Sequence, residues 1–367
     1  MSKRIRILYT IPNFNTAGSG KSVYDLVKGL DRTIFDPEIC VFHKKGAFFK
    51  EVERLDVKVH IFPFTARYRP RITFLSRVLK IRRFFKDHQF DVIHSWHWSS
   101  DISEPLAAKL AGIPYVYTKK AMGWGNRYWT WRSQLSTKVI VVNEDMIDQY
   151  FSKMLHKIER FPLAIDTQVY KPVIDTWDIT KETYFKSDDF VILSVANLVA
   201  VKGIEILFEA VQKLEDDAVK ILIVGDDEGD YGQNLKAHYG NNTNFVFVGK
   251  HLDVRPFLDL ADLFVIPTKD EGRREGIPNA PLEAMAMRCV VLGSNVSGVK
   301  DILKEFPDCL FEASNVDVLA KKINTVRQMS VEAKEDLASK MRDQVVKEFS
   351  IEDFLKKHET LYLKLVK

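Results

Sequence analysis

Glu275-Gly276-Ile277-Pro278-Asn279-Ala280-Pro281-Leu282-Glu283-Ala284-Met285-Ala286 sets two carboxylates eight positions apart around a Gly-Ile-Pro-Asn turn. The second carboxylate falls in an Ala/Met/Leu run that reads as a helix, with Asn279 as its N-cap and Pro281 in its first turn. Just upstream, the apolar run Ala261–Pro267 reads as a buried strand. Strand, glycine-containing loop and helix N-terminus together offer backbone N–H groups and a positive dipole end to a diphosphate. Glu275 and Glu283 then stand where they can hydrogen-bond hydroxyls of a sugar or ribose flanking the phosphates. Two such glutamates taken alone are more often a solvated loop residue and a helix-face residue. Their position just past a buried strand end, where open parallel sheets bind ligands, favours a site.

With 367 residues the chain has room for two domains, each burying its own core. A hydrophobic content of 46% against 28% charged residues is that of a water-soluble globular protein. No segment reaches eighteen uninterrupted apolar residues, and Met1–Ile5 runs into a strand without a signal-peptide apolar region, so the expected location is cytoplasmic. Cys40, Cys289 and Cys309 are too widely spaced for a zinc knuckle and read as reduced core residues. The net charge of +4 conceals an asymmetry: residues 1–170 hold 28 Lys and Arg against 16 Asp and Glu, whereas residues 171–367 hold 26 against 34. A basic first half suits an anionic acceptor or surface.

Strand and helix patterns alternate along both halves, which gives the α/β class. After the first strand, Arg4–Thr10, comes the glycine-rich stretch Thr16-Ala17-Gly18-Ser19-Gly20-Lys21-Ser22 and then a helical pattern. A Walker loop would need a glycine where Asn15 stands, so the stretch reads instead as a Rossmann-like first turn whose Gly18 and Gly20 let the backbone approach a ligand. Between Arg67 and Lys86 there are eight basic residues and no acidic one, interleaved with Ile72, Leu75 and Leu79. That segment reads as an amphipathic helix packed on the sheet, with a basic ridge facing anionic lipid as the alternative.

Asp91–Trp98 is a buried strand running into its C-terminal loop; His94 reads as core and His97 as a site residue. The stretch from Lys119 to Arg132, with Lys120, Trp124 and Arg127, joins cations to large aromatics, which suits a partly apolar anionic acceptor, with a surface loop folded over its own aromatics as the equal alternative. Asp226 and Asp227 follow another strand, and adjacent acids there read as loop caps, so no metal site is assigned.

Glu-x7-Glu followed by Ala-Met-Ala, after Ala261-Asp262-Leu263-Phe264-Val265-Ile266-Pro267-Thr268, resembles the donor site of retaining glycosyltransferases of family four, which have the GT-B fold. The resemblance extends over nearly the whole chain. Phe161–Asp166 with Val169–Pro172 resembles the family's interdomain segment, usually Pro-Asn-Gly-Val-Asp followed by Phe-x-Pro; Leu163 and Ala164 depart from it. Lys202 and Gly203 match a Lys-Gly pair, while Asn197 stands where Arg is usual, leaving Arg273 or Arg274 as substitute cations. Arg288 and Val290 replace the usual Gly and Pro before the next strand.

The resemblance implies two facing Rossmann-like domains with an interdomain cleft. The expected domains are an acceptor-binding 1–165, on which the helix 351–367 packs back, and a donor-binding 166–350. It implies a hexosyltransferase-type enzyme moving sugar from a nucleoside diphosphate sugar to a saccharide or lipid-linked saccharide in surface glycan biosynthesis, without metal or resident cofactor. Catalytic roles fall to Glu275, Lys202 and His97. Donor binding falls to Glu283, Gly276, Ile277, Pro278, Asn279, Asn197, Gly18, Gly20 and Arg273, and acceptor binding to Lys119, Lys120, Trp124 and Arg127. Peripheral contact at the inner membrane face through the basic domain stays open as the alternative to a helix packed on the sheet, and no nucleic acid partner is expected. Two other readings stay open: a non-catalytic GT-B scaffold, and a P-loop kinase or NTPase built on Gly20-Lys21-Ser22.

Overall fold

Apolar runs rich in Ile, Val and aromatic residues separate the helical stretches, and each becomes a strand of one of two parallel sheets. A computed structural model describes residues 3–15, 17–46, 48–172, 177–271 and 276–366. The chain divides into two compact units, Met1–Leu163 with Ile351–Lys367, and Ala164–Ser350.

In the first unit the strands are β1 (Ile5–Thr10), β2 (Phe35–Val41), β3 (Val59–Ile61), β4 (Val92–Ser95), β5 (Tyr115–Lys119), β6 (Lys138–Val141) and β7 (Ile158–Arg160). Their order is β3-β2-β1-β4-β5-β6-β7, so the direction of winding reverses between β1 and β4. Ile7, Leu8, Ile93, Val116 and Val139 are fully or almost fully buried, as expected of strands covered by helices on both faces.

The helix Ile351–Leu365 belongs to this unit. Its Tyr362 hydroxyl accepts from the Tyr9 hydroxyl at 2.9 Å and lies 2.6 Å from His94 Nδ1, while His94 Nε2 lies 2.8 Å from the Thr118 hydroxyl. Full burial drives the His94 imidazole well below its usual value, so it is a neutral core residue.

The second unit holds β8 (Phe190–Val195), β9 (Val219–Val224), β10 (Phe245–Gly249), β11 (Leu263–Ile266), β12 (Val291–Ser294) and β13 (Leu310–Phe311), in the order β10-β9-β8-β11-β12-β13. Here the reversal falls between β8 and β11, the topological switch at which such sheets bind ligands beyond their carboxyl ends. All three cysteines are buried and unpaired. Among the described residues no helix is long and apolar enough to cross a membrane.

The glycine-rich stretch corrects one expectation. Gly18 and Gly20 do not lie in a loop, because the helix already begins at Ala17 and runs to Gly29. A side chain at Gly20 would meet the Phe14 ring at 2.9 Å, so this glycine serves packing of the helix start against a buried aromatic. Lys21 pairs with Asp25 one turn along at 3.4 Å. A cradling loop ahead of the helix, which a P-loop reading requires, is therefore not what these glycines form.

Candidate donor and acceptor sites

In the second unit the loops after β8 and β11 flank the switch point and are fastened to one another. Lys269 N–H donates to the Val201 carbonyl at 2.8 Å. Gly203, at φ +62°, lies so close that a Cβ would come within 2.4 Å of the Pro267 carbonyl oxygen. Only glycine fits both the left-handed backbone and the approach. Lys202 immediately precedes it at 9% exposure, on the short turn Ala200–Lys202 that leads into the helix Ile204–Gln212. Tyr231 secures that helix start, its hydroxyl accepting from Ile204 N–H at 2.9 Å and donating to Glu205. Asn197, just past β8, is exposed.

The segment Gly276–Pro278 after β11 is buried and enters the helix Asn279–Ala286. Gly298, at φ +84°, sits directly against it: a Cβ there would lie 2.0 Å from the Gly276 carbonyl oxygen. The N-cap is Pro278, in extended conformation and with no side-chain cap, rather than Asn279, which is the first helical residue. Proline's restricted φ suits the extended turn, which leaves Asn279 free to enter the helix. Its Oδ1 is buried and has no hydrogen-bond partner. The first-turn N–H groups have no intrahelical acceptor and mark the positive end of the helix dipole.

Glu283, half-buried on the second turn, accepts a hydrogen bond from the Tyr170 hydroxyl. Burial and then the adjacent carboxylate hold the Tyr170 phenol far above its usual value, so it remains a donor. Arg342 fixes the backbone on both sides of this pair: its guanidinium donates to the Tyr170 carbonyl at 3.1 Å, and also to Ala286 O at the end of the helix and to Thr167 O. Glu275 and Arg273 lie outside the described residues. Asp227 pairs with Lys236 at 2.5 Å and Asp226 faces Lys250 at 3.9 Å. Among the described residues no group of three or more His, Cys, Asp or Glu is placed to hold a metal.

In the first unit His97 follows β4, its Nδ1 2.9 Å from the Ser99 hydroxyl and its ring edge-on to Phe42 and Phe64. Burial, then the charges of Arg132 and Lys120, lower its imidazole to about 3, so it is neutral at physiological pH. Arg132 has no exposed surface and shapes this loop from beneath: it donates to the carbonyls of His97 at 2.9 Å and of Ser99, and to the hydroxyls of Ser95 and Tyr115. Its counter-charge is Glu104 at 3.9 Å, which also accepts from Thr10, Ser95 and Tyr115.

The cations expected to meet an acceptor divide by position. Lys119 is buried with its ammonium on the carbonyls of Ala121 and Gly123 and 4.3 Å above the Trp129 ring, so it holds its own loop together. Lys120 bonds the Trp96 carbonyl at 2.7 Å and lies over Trp96 and Trp98. Trp124 is stacked on Tyr150 at 5.0 Å, and Arg127 is exposed, over Trp131 at 5.1 Å.

Sequence reasoning missed Tyr170, Arg342 and Arg132 as organisers of these sites. The one available signal was Tyr170 at the place where the interdomain pattern has Phe; Arg342 acts on carbonyls, and Arg132 on carbonyls, hydroxyls and Glu104, all remote in sequence.

Two family models match the chain, glycosyltransferase family 4 over residues 16–169 and glycosyl transferases group 1 over residues 175–344. Together they span most of both units, short of the C-terminal segment Ile351–Lys367. The chain belongs to the group 1 glycosyltransferases. This transferase is 25% identical to the UDP-Gal:alpha-D-GlcNAc-diphosphoundecaprenol alpha-1,3-galactosyltransferase of Escherichia coli, over 84% of each chain. Its fold matches a glycosyltransferase from Rickettsia africae at a TM-score of 0.87, with 19% identity over 100% of this chain and 99% of that one. Anabaena HepE, crystallised with UDP and glucose, matches at 0.79 with 19% identity over 98% and 99%. The transferase thus has the two-domain α/β architecture called GT-B.

Proposed function

We propose that this glycosyltransferase moves a hexosyl group, with retention of anomeric configuration, from a UDP-sugar to a lipid-linked saccharide in glycan biosynthesis. The observation that carries the donor half is Glu283 on the second turn of an open helix N-terminus at the β8/β11 switch, its carboxylate oriented by Tyr170. Glu283 takes the ribose hydroxyls. The N–H groups of Gly276, Ile277 and Asn279, the helix dipole and Lys202 meet the diphosphate, with Arg273 as a further cation and Asn197 as a further polar contact. As the bond from C1 to the diphosphate breaks, negative charge grows on the leaving oxygens, and these fixed donors stabilise it without a metal. The bond from the acceptor oxygen to C1 forms on the same face, and the acceptor proton leaves with the diphosphate. We assign Glu275 the orientation of the transferred sugar and stabilisation of positive charge at C1.

The first unit carries the acceptor role through Lys120, Trp124 and Arg127. Neutral His97 and the helix start at Gly18–Gly20 are the first unit's candidate sugar contacts. A lipid-linked acceptor is supported by the Escherichia coli relative, whose name specifies a diphosphoundecaprenol substrate, and UDP by that relative and by the HepE complex. The test is transfer from UDP-α-galactose and UDP-α-glucose to a diphosphopolyprenol-linked N-acetylhexosamine, with the new linkage read by NMR. An α-linked product is expected. A β-linked product would overturn retention, and no transfer from any UDP-hexose would overturn the donor assignment.

A further inference from the structure

The helix Phe74–Asp87 buries Val78, Ile81 and Phe85 and turns another apolar stripe outward. Ile72, Leu75 and Leu79 are 96%, 56% and 44% exposed, and their spacing of three and four places them on one side of the helix and its lead-in turn. An outer stripe of an ordinary surface helix is polar, so three large aliphatic groups in a row imply an occupant.

The charge around the stripe has one sign. Arg67, Arg69, Arg71, Lys80 and Lys86 are exposed; Arg83 is exposed too and pairs with Asp87, at 3.4 Å. Arg77 and Arg82 are used internally, on the carbonyls of Pro70 and Leu110, and so shape the segment. No acidic residue occurs between Arg67 and Lys86.

The surface continues into the acceptor loop. Arg71 lies over the Tyr68 ring, Tyr68 touches Tyr128 at 5.8 Å, Tyr128 meets Trp131 at 5.3 Å, and Arg127 covers Trp131. Exposed aliphatics, unopposed cations and amphipathic Tyr and Trp rings are the three ingredients of a group that sits at the boundary of headgroups and acyl chains. We propose that Arg69–Lys86, continued by Tyr68, Tyr128 and Trp131, docks the protein on an anionic phospholipid bilayer, with Ile72 and Leu75 entering the acyl boundary. This deepens the acceptor reading above and rests on it for its purpose: the acceptor's lipid then lies in the same bilayer that the Trp124–Trp131 loop faces.

The full chain is sedimented with vesicles of phosphatidylcholine alone and of phosphatidylcholine mixed equally with phosphatidylglycerol, and by itself without lipid. Wild type should pellet with the mixed vesicles, not with pure phosphatidylcholine. Arg69→Gln with Arg71→Gln should weaken that binding about fivefold per cation removed, and more salt should weaken it further. Ile72→Ser with Leu75→Ser should weaken it about tenfold or more. These side chains are on the surface, so the melting temperatures and UDP binding of the variants should equal those of wild type; UDP binding also reports the donor site independently of docking. Wild type that ignores anionic vesicles, or variants that bind them as well as wild type, would overturn the proposal. A lipid-free dimer that is lost in the Ile72/Leu75 variant would overturn it in favour of a second copy on this face.

Discussion

The Tyr170 hydroxyl donates to the carboxylate of Glu283, joining the segment that opens the second unit to the second turn of the helix at its switch point. A carboxylate half-buried on a helix has several rotamers, and a donor fixed by its own backbone contacts selects one. Arg342 supplies that fixing, since it holds the carbonyls of Tyr170 and of Ala286 at once. The carboxylate is therefore set before any ligand arrives, which lowers the ordering cost of binding one.

Tyr170→Phe removes the donor and keeps the ring. A hydrogen bond to a charged group is worth about 1.5–3 kcal/mol, and some of that is recovered by solvent, so UDP should bind about tenfold more weakly. Calorimetric titration checks this, with the melting temperature expected to fall only slightly. Unchanged UDP affinity would mean that the pair does not prepare the donor site.

Gly298→Ala places a methyl where the Gly276 carbonyl oxygen already stands, 2.0 Å away, at a φ of +84°. The Gly276–Pro278 turn must move or the β12 loop must open. A cost of about 1–3 kcal/mol in unfolding free energy is expected, together with loss of UDP binding. Gly112, also at positive φ but with nothing within 4 Å of the added methyl, should lose only the smaller backbone term and keep UDP affinity.

The pH dependence of the first unit should carry the mark of His358. It is fully buried between Phe354, Phe161 and the stacked His94 ring, and burial lowers it to about 4. The unfolded chain takes up this proton near pH 6.5 and the fold does not, so the stability involved is present above 6.5 and lost as pH falls toward 4. His358→Leu should flatten the urea stability profile by about 1.4 kcal/mol per pH unit across that window. Tryptophan fluorescence reads mainly this unit, because Trp96, Trp98, Trp124, Trp129 and Trp131 lie in it and only Trp177 does not. An identical slope in the variant would contradict the assignment.

Arg132→Met should destabilise that unit by about 3–5 kcal/mol, because burial already raises the Glu104 carboxyl to about 7 against the opposing pull of Arg132, and without that guanidinium it must take up a proton or stay an uncompensated buried charge. Glu104→Gln introduced on top should restore part of the loss, and double-mutant urea titrations measure the coupling. A loss under about 1 kcal/mol would mean that the Ser95, Tyr115 and Thr10 hydroxyls alone satisfy the carboxylate.

The two-sheet α/β architecture was legible because continuous apolar strands such as Phe190–Val195 and Leu263–Ile266 stand out from amphipathic helices, and because Gly276–Glu283 carries its turn chemistry locally. Boundaries were less so. Gly18 and Gly20 look like loop residues until Phe14 is seen to require the absence of a side chain inside a helix, and Asn279 looks like a cap until Pro278 takes the extended position. Lys119 looked like a surface cation, yet its strand-end position leaves it 4% exposed beneath its own loop. Tyr170, Arg342 and Arg132 act on partners far away in the chain, and nothing in local composition encodes a pairing that only the fold creates.

Calorimetric titration of UDP in EDTA against wild type and Glu283→Ala tests whether Glu283 anchors a nucleoside diphosphate site that needs no metal. Wild type should bind at one site, and the variant about tenfold to a hundredfold more weakly with its fold intact. UDP binding that needs a divalent ion, that is equal in both proteins, or that is absent from wild type would rule out this role for Glu283.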